Sequence, residues 1–287
     1  MHYAYIIAIS SVVLALAIGV FITIVVLRRY VRNIEFLHAR DMSSRVSKSK
    51  FFSRLQPHDL IARHVITQDD YSDLYIASIV EFTRGEKIKI INAVRSLDSV
   101  LEGFPKLRDI PWKFAKLSVG MEANYPHTIE DVIILNEIVL LSAPEALMET
   151  LLHEKVHIYQ RLFEYETKKM IVNVLGLIPY AQYNSISLIA ANPDIDDIVY
   201  KNGDYIYFVA YATPTPKSTR DTYLYRSKIN NEGMPENRDN IFYSTAGFEP
   251  EILQVDHPYE IMAEYISNIL TNNISNIDIE NWMKNNL

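Results

Sequence analysis

The stretch SAPEALMETLLHEKVHIYQRLF, residues 142–163, decides the fold of this chain. Ser142, Pro144 and Glu145 are typical of a helix start: a capping serine, an early proline and a glutamate three residues after the serine. They predict a helix from about residue 143 to about residue 164. Its apolar face is broad, which predicts deep packing, and comprises Leu147, Leu151, Leu152, Val156, Tyr159 and Phe163.

The middle of this helix reads His153-Glu154-Lys155-Val156-His157. Side chains four residues apart lie on one helix face, so both imidazoles can bind one Zn²⁺ while the carboxylate of Glu154 reaches a water beside it. A lone histidine on an apolar face is usually a packed core residue. Two histidines around a buried glutamate are different, because an unpaired carboxylate in a core is costly unless a metal, water or partner compensates it. We therefore expect a zinc site with Glu154 as general base.

A catalytic zinc normally takes three protein ligands, so a third must come from elsewhere in the chain. The segment HPYEIMAEYI, residues 257–266, predicts a second helix with Glu260 and Glu264 on one face. We expect Glu260 to bind the metal and Glu264, one turn later, to hydrogen-bond a ligand imidazole. His257 and Asp256 are alternative third ligands, and a solvated acidic face without any ligand is a further alternative.

These two segments resemble the gluzincin class of zinc metallopeptidases, zincins in which H-E-x-x-H on one helix is completed by a glutamate from a later helix. The resemblance matches His153 and His157 to the paired ligands, Glu154 to the general base and Glu260 to the third ligand, while Glu264 stands where the class often has aspartate. It implies a zincin-like α+β fold, a Zn²⁺ cofactor, and hydrolysis of a peptide or protein substrate.

The N-terminus predicts a membrane anchor, because residues 4–27 are uncharged and almost wholly Ile, Val, Leu, Ala and Phe. About 24 residues at 1.5 Å each span roughly 36 Å, enough for a bilayer core of about 30 Å. Basic residues follow, and the positive-inside rule then predicts a single-pass membrane protein with its soluble domain on the cytoplasmic side. We assign residues 1–32 to the anchor and basic flank, 33–57 to a polar stem, and 58–287 to the catalytic domain.

Local patterns predict the other elements. Thr83-Arg84-Gly85-Glu86 is a capping box that opens a helix through about Leu101, and residues 112–121 and 132–141 are two β-rich runs before the motif helix. Residues 190–256 predict a tyrosine-rich β insertion, with Asn202-Gly203 as a hairpin turn. We therefore expect an α+β fold.

Metallopeptidases need a hydrogen-bond donor to the transition state besides zinc, and the candidate donors in or beside the insertion are Tyr225, Tyr243 and His257. The acidic run Asp194, Asp196 and Asp197 is interpreted as a solvated loop.

Composition excludes several classes of function. The net charge of −7 argues against a nucleic-acid surface, and the absence of cysteine excludes disulfides, cysteine zinc sites and thiol catalysis. The expected partners are a peptide or protein substrate and, through residues 4–27, a lipid bilayer. A different function is also compatible with these motifs: a non-catalytic, metal-stabilised membrane scaffold or binding protein.

Overall fold

The structure, a computed structural model, describes residues 34–182, 185–230, 232–240, 257–271 and 274–287. Within these ranges the chain is an α+β protein with two β-sheets. The strands are β1 (Ile34–Phe36), β2 (Ile79–Val80), β3 (Trp112–Leu117), β4 (His127–Ile129), β5 (Val132–Asn136), β6 (Ile178–Gln182), β7 (Ile198–Asn202), β8 (Tyr205–Tyr211), β9 (Thr222–Ile229) and β10 (Pro235–Asn240). The helices are α1 (Ala39–Val46), α2 (Lys50–Arg54), α3 (Pro57–Ala62), α4 (Gln68–Ala77), α5 (Arg84–Val100), α6 (Pro105–Arg108), α7 (Glu137–Leu140), α8 (Pro144–Leu162), α9 (Glu164–Asn173), α10 (Pro258–Leu270) and α11 (Ile277–Asn286).

The first sheet is mixed and has β3 at its centre. On one side β3 pairs in parallel with β5; on the other it pairs in parallel with β1 and, further along, antiparallel with β2. The strand β4 continues the sheet beyond β5, in antiparallel pairing, and forms its edge.

Helices cover both faces of the first sheet. Successive side chains of a strand point to opposite faces, so Ile133 joins a core with α5 and α8 while Ile134 joins a second core with α1, α2 and α4. This double burial explains why β5 is apolar from Val132 to Leu135 rather than alternating.

Residues 33–57 were predicted to be a polar stem, and the structure, which describes this stretch from Ile34, corrects this. The segment supplies β1, α1 and α2, and its apolar side chains complete the core on one face of the first sheet. Met42, Val46, Phe51 and Phe52 are at most 3% exposed. Most charged residues of this stretch lie on the outer sides of short helices. Each helix buries only a few apolar residues, so the sequence pattern did not indicate that the stretch packs in a core.

The membrane prediction also requires correction. None of the helices in the described ranges is long and apolar enough to cross a bilayer. The expected span, residues 4–27, lies outside the described residues, together with the rest of the chain before Ile34. The predicted fold class is therefore right in being α+β, whereas its transmembrane helix and the single-pass location derived from it have no counterpart in the described structure.

The second sheet is antiparallel throughout, in the order β10-β9-β8-β7-β6. The predicted turn at Asn202-Gly203 joins β7 to β8, with Gly203 at a φ of +58°, the left-handed conformation that glycine adopts without steric cost. The sheet begins at Ile178, before the predicted start of the insertion at 190, and residues 241–256 lie outside the described ranges.

The second β-rich run ends earlier than its sequence predicts. Asn136 is the last residue of β5 and also caps α7: its side-chain oxygen accepts hydrogen bonds from the backbone amides of Ile138 at 2.9 Å and Val139 at 3.2 Å. The short α7 then turns the chain into α8, which lies against the first sheet and carries the H-E-x-x-H motif.

Candidate metal centre

The motif helix α8 runs from Pro144 to Leu162, close to the predicted span, but its cap differs from the predicted one. Ala143, rather than Ser142, is the capping residue, and no side chain caps the helix. Leu147 and Leu151 are fully buried and fix the helix on the first sheet. The helix α10 packs along α8 and brings the second predicted segment to the motif.

The imidazoles of His153 and His157 meet the carboxylate of Glu260 at one point. The two Nε2 atoms are 3.0 Å apart, and each is 3.2 Å from Oε2 of Glu260. A tetrahedral zinc with bonds of about 2.0–2.1 Å holds its ligand atoms about 3.3 Å apart. The three atoms therefore have nearly the spacing of one face of such a tetrahedron, and the structure brings together the three residues predicted as ligands.

Gln160 fixes the orientation of one of these imidazoles. Its side-chain amide donates to the carbonyl of Tyr259 at 2.8 Å, so its oxygen faces His157, whose Nδ1 lies 2.8 Å away. That oxygen can only accept, which places the proton of His157 on Nδ1 and leaves a lone pair on Nε2. A ligand histidine requires this tautomer, and the hydrogen bond that sets it was not foreseen from the sequence.

Glu154 lies next to His157 and close to the carboxylate of Asp194. It is 3% exposed, and among the residues that the structure describes no group hydrogen-bonds to its Oε2. Candidate ligand atoms of Glu154, His157 and Asp194 all lie within 4.8 Å of one another. An orphaned oxygen in such a place is costly unless a cation or a water compensates it.

Asp194 is a site residue that the sequence analysis missed. Instead of lying in a solvated loop it is 6% exposed, and its Oδ1 accepts from the backbone amide of Thr128 at 2.9 Å and from Nη2 of Arg161 at 3.1 Å. Arg161 is two turns beyond Glu154 on the same helix. The loop before β7 thus connects the edge strand β4 to the motif helix.

The charges of the centre call for a cation. If Glu154, Asp194 and Glu260 are all ionised and both imidazoles are neutral, the three buried carboxylates are opposed among the described residues by the guanidinium of Arg161, which leaves an excess of two negative charges. A divalent ion held by His153, His157 and Glu260 would balance this excess.

The pKa values report the same negative field. Burial and the neighbouring Asp194 raise the pKa of Glu154 well above its usual range, so positive charge nearby is needed to ionise it. Burial works to lower the pKa of His157, but Glu260 and Asp194 outweigh it and raise that pKa to about 10. Burial would raise the pKa of Glu260, and His157 and His153 instead hold it well below its usual range.

Two residues predicted near the metal have other partners. Glu264 accepts a hydrogen bond from Nδ2 of Asn268 at 3.2 Å, rather than one from a ligand imidazole, and burial raises its pKa. His257 caps α10: Nδ1 accepts from the amide of Tyr259 at 3.2 Å, and Nε2 lies 3.0 Å from the carbonyl oxygen of Ile198. Both ring nitrogens of His257 are engaged, which argues against it as third ligand and favours Glu260.

Of the remaining candidates, the structure describes only Tyr225. Tyr225 lies in β9 of the second sheet, where its ring stacks on Phe208 with centroids 6.0 Å apart. Tyr243 and Asp256 lie outside the described residues. The donor that would stabilise a transition state is therefore still a prediction.

Comparison with known proteins finds no relative for this arrangement: no family model, no curated protein and no solved structure matches the chain. The assignment of the centre depends on the geometry and the chemistry of its own side chains.

Proposed function

We propose that this protein is a zinc-dependent metallopeptidase that hydrolyses peptide bonds, with His153, His157 and Glu260 as metal ligands and Glu154 as general base. The observation that supports it is the convergence of two imidazole nitrogens and one carboxylate oxygen at zinc-ligand spacing, beside a buried glutamate oxygen with no hydrogen-bond partner among the described residues. Carboxylate and imidazole ligands also suit other divalent ions, and zinc is proposed because of the H-E-x-x-H motif.

The bound ion would supply Lewis-acid polarisation of the scissile carbonyl and would lower the pKa of the attacking water. The protein contributes the proton transfers. Glu154 accepts a proton from the water whose oxygen forms the new bond to the carbonyl carbon. It returns that proton to the amide nitrogen as the carbon–nitrogen bond breaks, so that an acid and an amine leave.

The test uses the purified chain and compares Glu154→Gln with Glu260→Ala. We expect wild-type protein to bind about one zinc per chain, Glu154→Gln to keep the metal while cleavage of a quenched-peptide library falls by about 10²–10⁴-fold, and Glu260→Ala to lose metal affinity. Glu145→Gln, an exposed position at the start of α8, is the matched control and should cleave like wild type.

Each outcome separates one part of the proposal. Unimpaired cleavage by Glu154→Gln would refute the mechanism. Zinc affinity unchanged in Glu260→Ala would remove it as third ligand. A wild-type chain that binds zinc tightly but cleaves no library peptide would support the alternative of a metal-stabilised binding protein.

A further inference from the structure

We propose that Asn192 is a positioning residue that directs a single oxygen of Glu260 to the metal, an inference that rests on the metal centre proposed above. Nδ2 of Asn192 donates to Oε1 of Glu260 at 2.7 Å, while Oε2 of the same carboxylate faces His153 and His157. The two oxygens of Glu260 therefore have separate partners.

The orientation of the Asn192 amide is itself fixed. Its side-chain oxygen accepts from the backbone amide of Asp194 at 2.8 Å, so the amide nitrogen must face Glu260. The carbonyl oxygen of Asn192 accepts from Nη2 of Arg54, and Nη1 of Arg54 donates to the carbonyl of Ile195 at 3.2 Å. A side chain of α2 thus holds the loop in place.

The same loop also holds the start of the helix that carries Glu260. Nε2 of His257 lies 3.0 Å from the carbonyl oxygen of Ile198 and 3.2 Å from Oδ1 of Asp196, whose other oxygen accepts from the hydroxyl of Tyr200 at 2.9 Å. Residues 192–198 therefore position Glu260 in two ways. Asn192 holds its side chain, and Asp196 and Ile198 hold His257, the capping residue of its helix.

This arrangement has a chemical consequence for the metal. A carboxylate that turns both oxygens to a zinc occupies two positions, whereas one whose second oxygen is held by an amide occupies one. By retaining Oε1, Asn192 keeps a coordination position open for water or substrate. Hydrogen bonds to ligand side chains of this kind commonly change metal affinity by about 10–100-fold.

The sharpest variant is Asn192→Asp. An aspartate has the same size and can still accept from the amide of Asp194, but it replaces the donor to Glu260 with a second carboxylate oxygen. Asn192→Ala removes the donor without adding charge. The matched control is Asp197→Asn, a half-exposed partner of Arg54 in the same loop that makes no described contact with Glu260.

The experiment measures Zn²⁺ and Co²⁺ affinity of the full chain by competition with a chromophoric chelator, the visible spectrum of the Co²⁺ form, and the melting temperature without metal. We expect affinity to fall about 10-fold or more in Asn192→Ala and further in Asn192→Asp, with an altered Co²⁺ spectrum in both, while Asp197→Asn keeps the wild-type affinity and spectrum. Melting temperatures of the metal-free variants report the cost of leaving Oε1 of Glu260 without its donor, so that a weakened fold is distinguished from a weakened metal site.

The results distinguish the inference from the proposed function. If wild type binds metal and both Asn192 variants bind it with wild-type affinity and spectrum, the inference is overturned and the metal centre stands. If wild type binds neither ion, both are overturned. If Asn192→Ala does not fold, the isosteric Asn192→Asp alone decides the question.

Discussion

Replacing Lys155 with methionine tests whether the two faces of the motif helix act independently. Lys155 lies between the two ligand histidines in sequence but points to the opposite side of α8, where it is fully buried. Its Nζ donates to the carbonyl of Ile110 at 2.5 Å and lies 3.9 Å from the centre of the Trp112 ring. Burial lowers the pKa of Lys155 from 10.5 to about 7, against a weaker opposing effect of Asp98 and Asp109.

The size of the effect follows from these contacts. A change of pKa from 10.5 to about 7 corresponds to about 5 kcal/mol. This is the folding free energy that is lost at low pH because the amine of Lys155 must be buried in its charged form. Methionine removes that cost, but it leaves the carbonyl of Ile110 without its donor, at about 1–3 kcal/mol, and loses a cation–π contact of about 1 kcal/mol. We therefore expect Lys155→Met to be more stable than wild type by about 1–3 kcal/mol near pH 6.5.

The dependence on pH has a definite sign. Between about pH 7 and 10.5 the unfolded chain binds the Lys155 proton and the folded chain does not, so this residue makes wild-type stability rise with pH across that window. The advantage of Lys155→Met should shrink over the same window.

The assay is urea denaturation of the metal-free protein at about pH 6.5, 8 and 9.5, with zinc affinity measured in parallel. Lys169→Met is the control. Like Lys155, Lys169 lies over an aromatic ring, 4.5 Å from the centre of Tyr165, but it is exposed. The control should change stability by less than about 0.5 kcal/mol at every pH. A Lys155→Met protein less stable than wild type near pH 6.5, or one whose difference from wild type does not vary with pH, would refute this reasoning.

Two other substitutions have clear expectations. Arg63→Met removes two hydrogen bonds of 2.8 Å to Glu122, whose side chain is 9% exposed, and should cost about 3–5 kcal/mol in urea denaturation; a loss below about 1 kcal/mol would contradict it. Burial would raise the pKa of Glu122, but Arg63 lowers it. The stability that this pair gives to the wild-type protein is therefore present above about pH 4.5 and is lost as the pH falls through the pKa of Glu122 in the folded state. The variant should lack this loss of stability. Gln160→Leu frees the His157 tautomer and should weaken zinc binding about 10–100-fold by chelator competition, and wild-type affinity would disprove that role.

The elements that could be predicted from the sequence are those that local patterns specify. The capping box of Thr83 and Glu86 is present with both reciprocal hydrogen bonds, and the helix that follows begins at Arg84. The turn at Asn202-Gly203 and the helix around H-E-x-x-H are likewise set by residues a few positions apart. Glu260 could be named although it is distant in sequence, because the predicted zinc site needs a third ligand.

The rest depends on contacts between distant segments. Asn192 and Asp194 stand in a polar, acidic stretch that has the composition of a surface loop, and only the approach of α8 and α10 buries Asp194 and gives Asn192 its partner Glu260. Gln160 is an ordinary helix residue until the carbonyl of Tyr259 fixes its amide. Residues 34–57 were misassigned because their average polarity outweighed a few apolar side chains that pack at helical spacing.

The helix α8 places the imidazoles on one side and the Lys155 amine on the other, so a change in its length would disturb both sides at once. One inserted residue would rotate everything beyond it by about 100° about the helix axis. An insertion between positions 153 and 157 would therefore turn one histidine away from Glu260, and an insertion in the helix before position 153 would turn both away. Variation in the number of residues should accordingly accumulate in the hairpin loops of the second sheet, whereas this helix should keep a constant register.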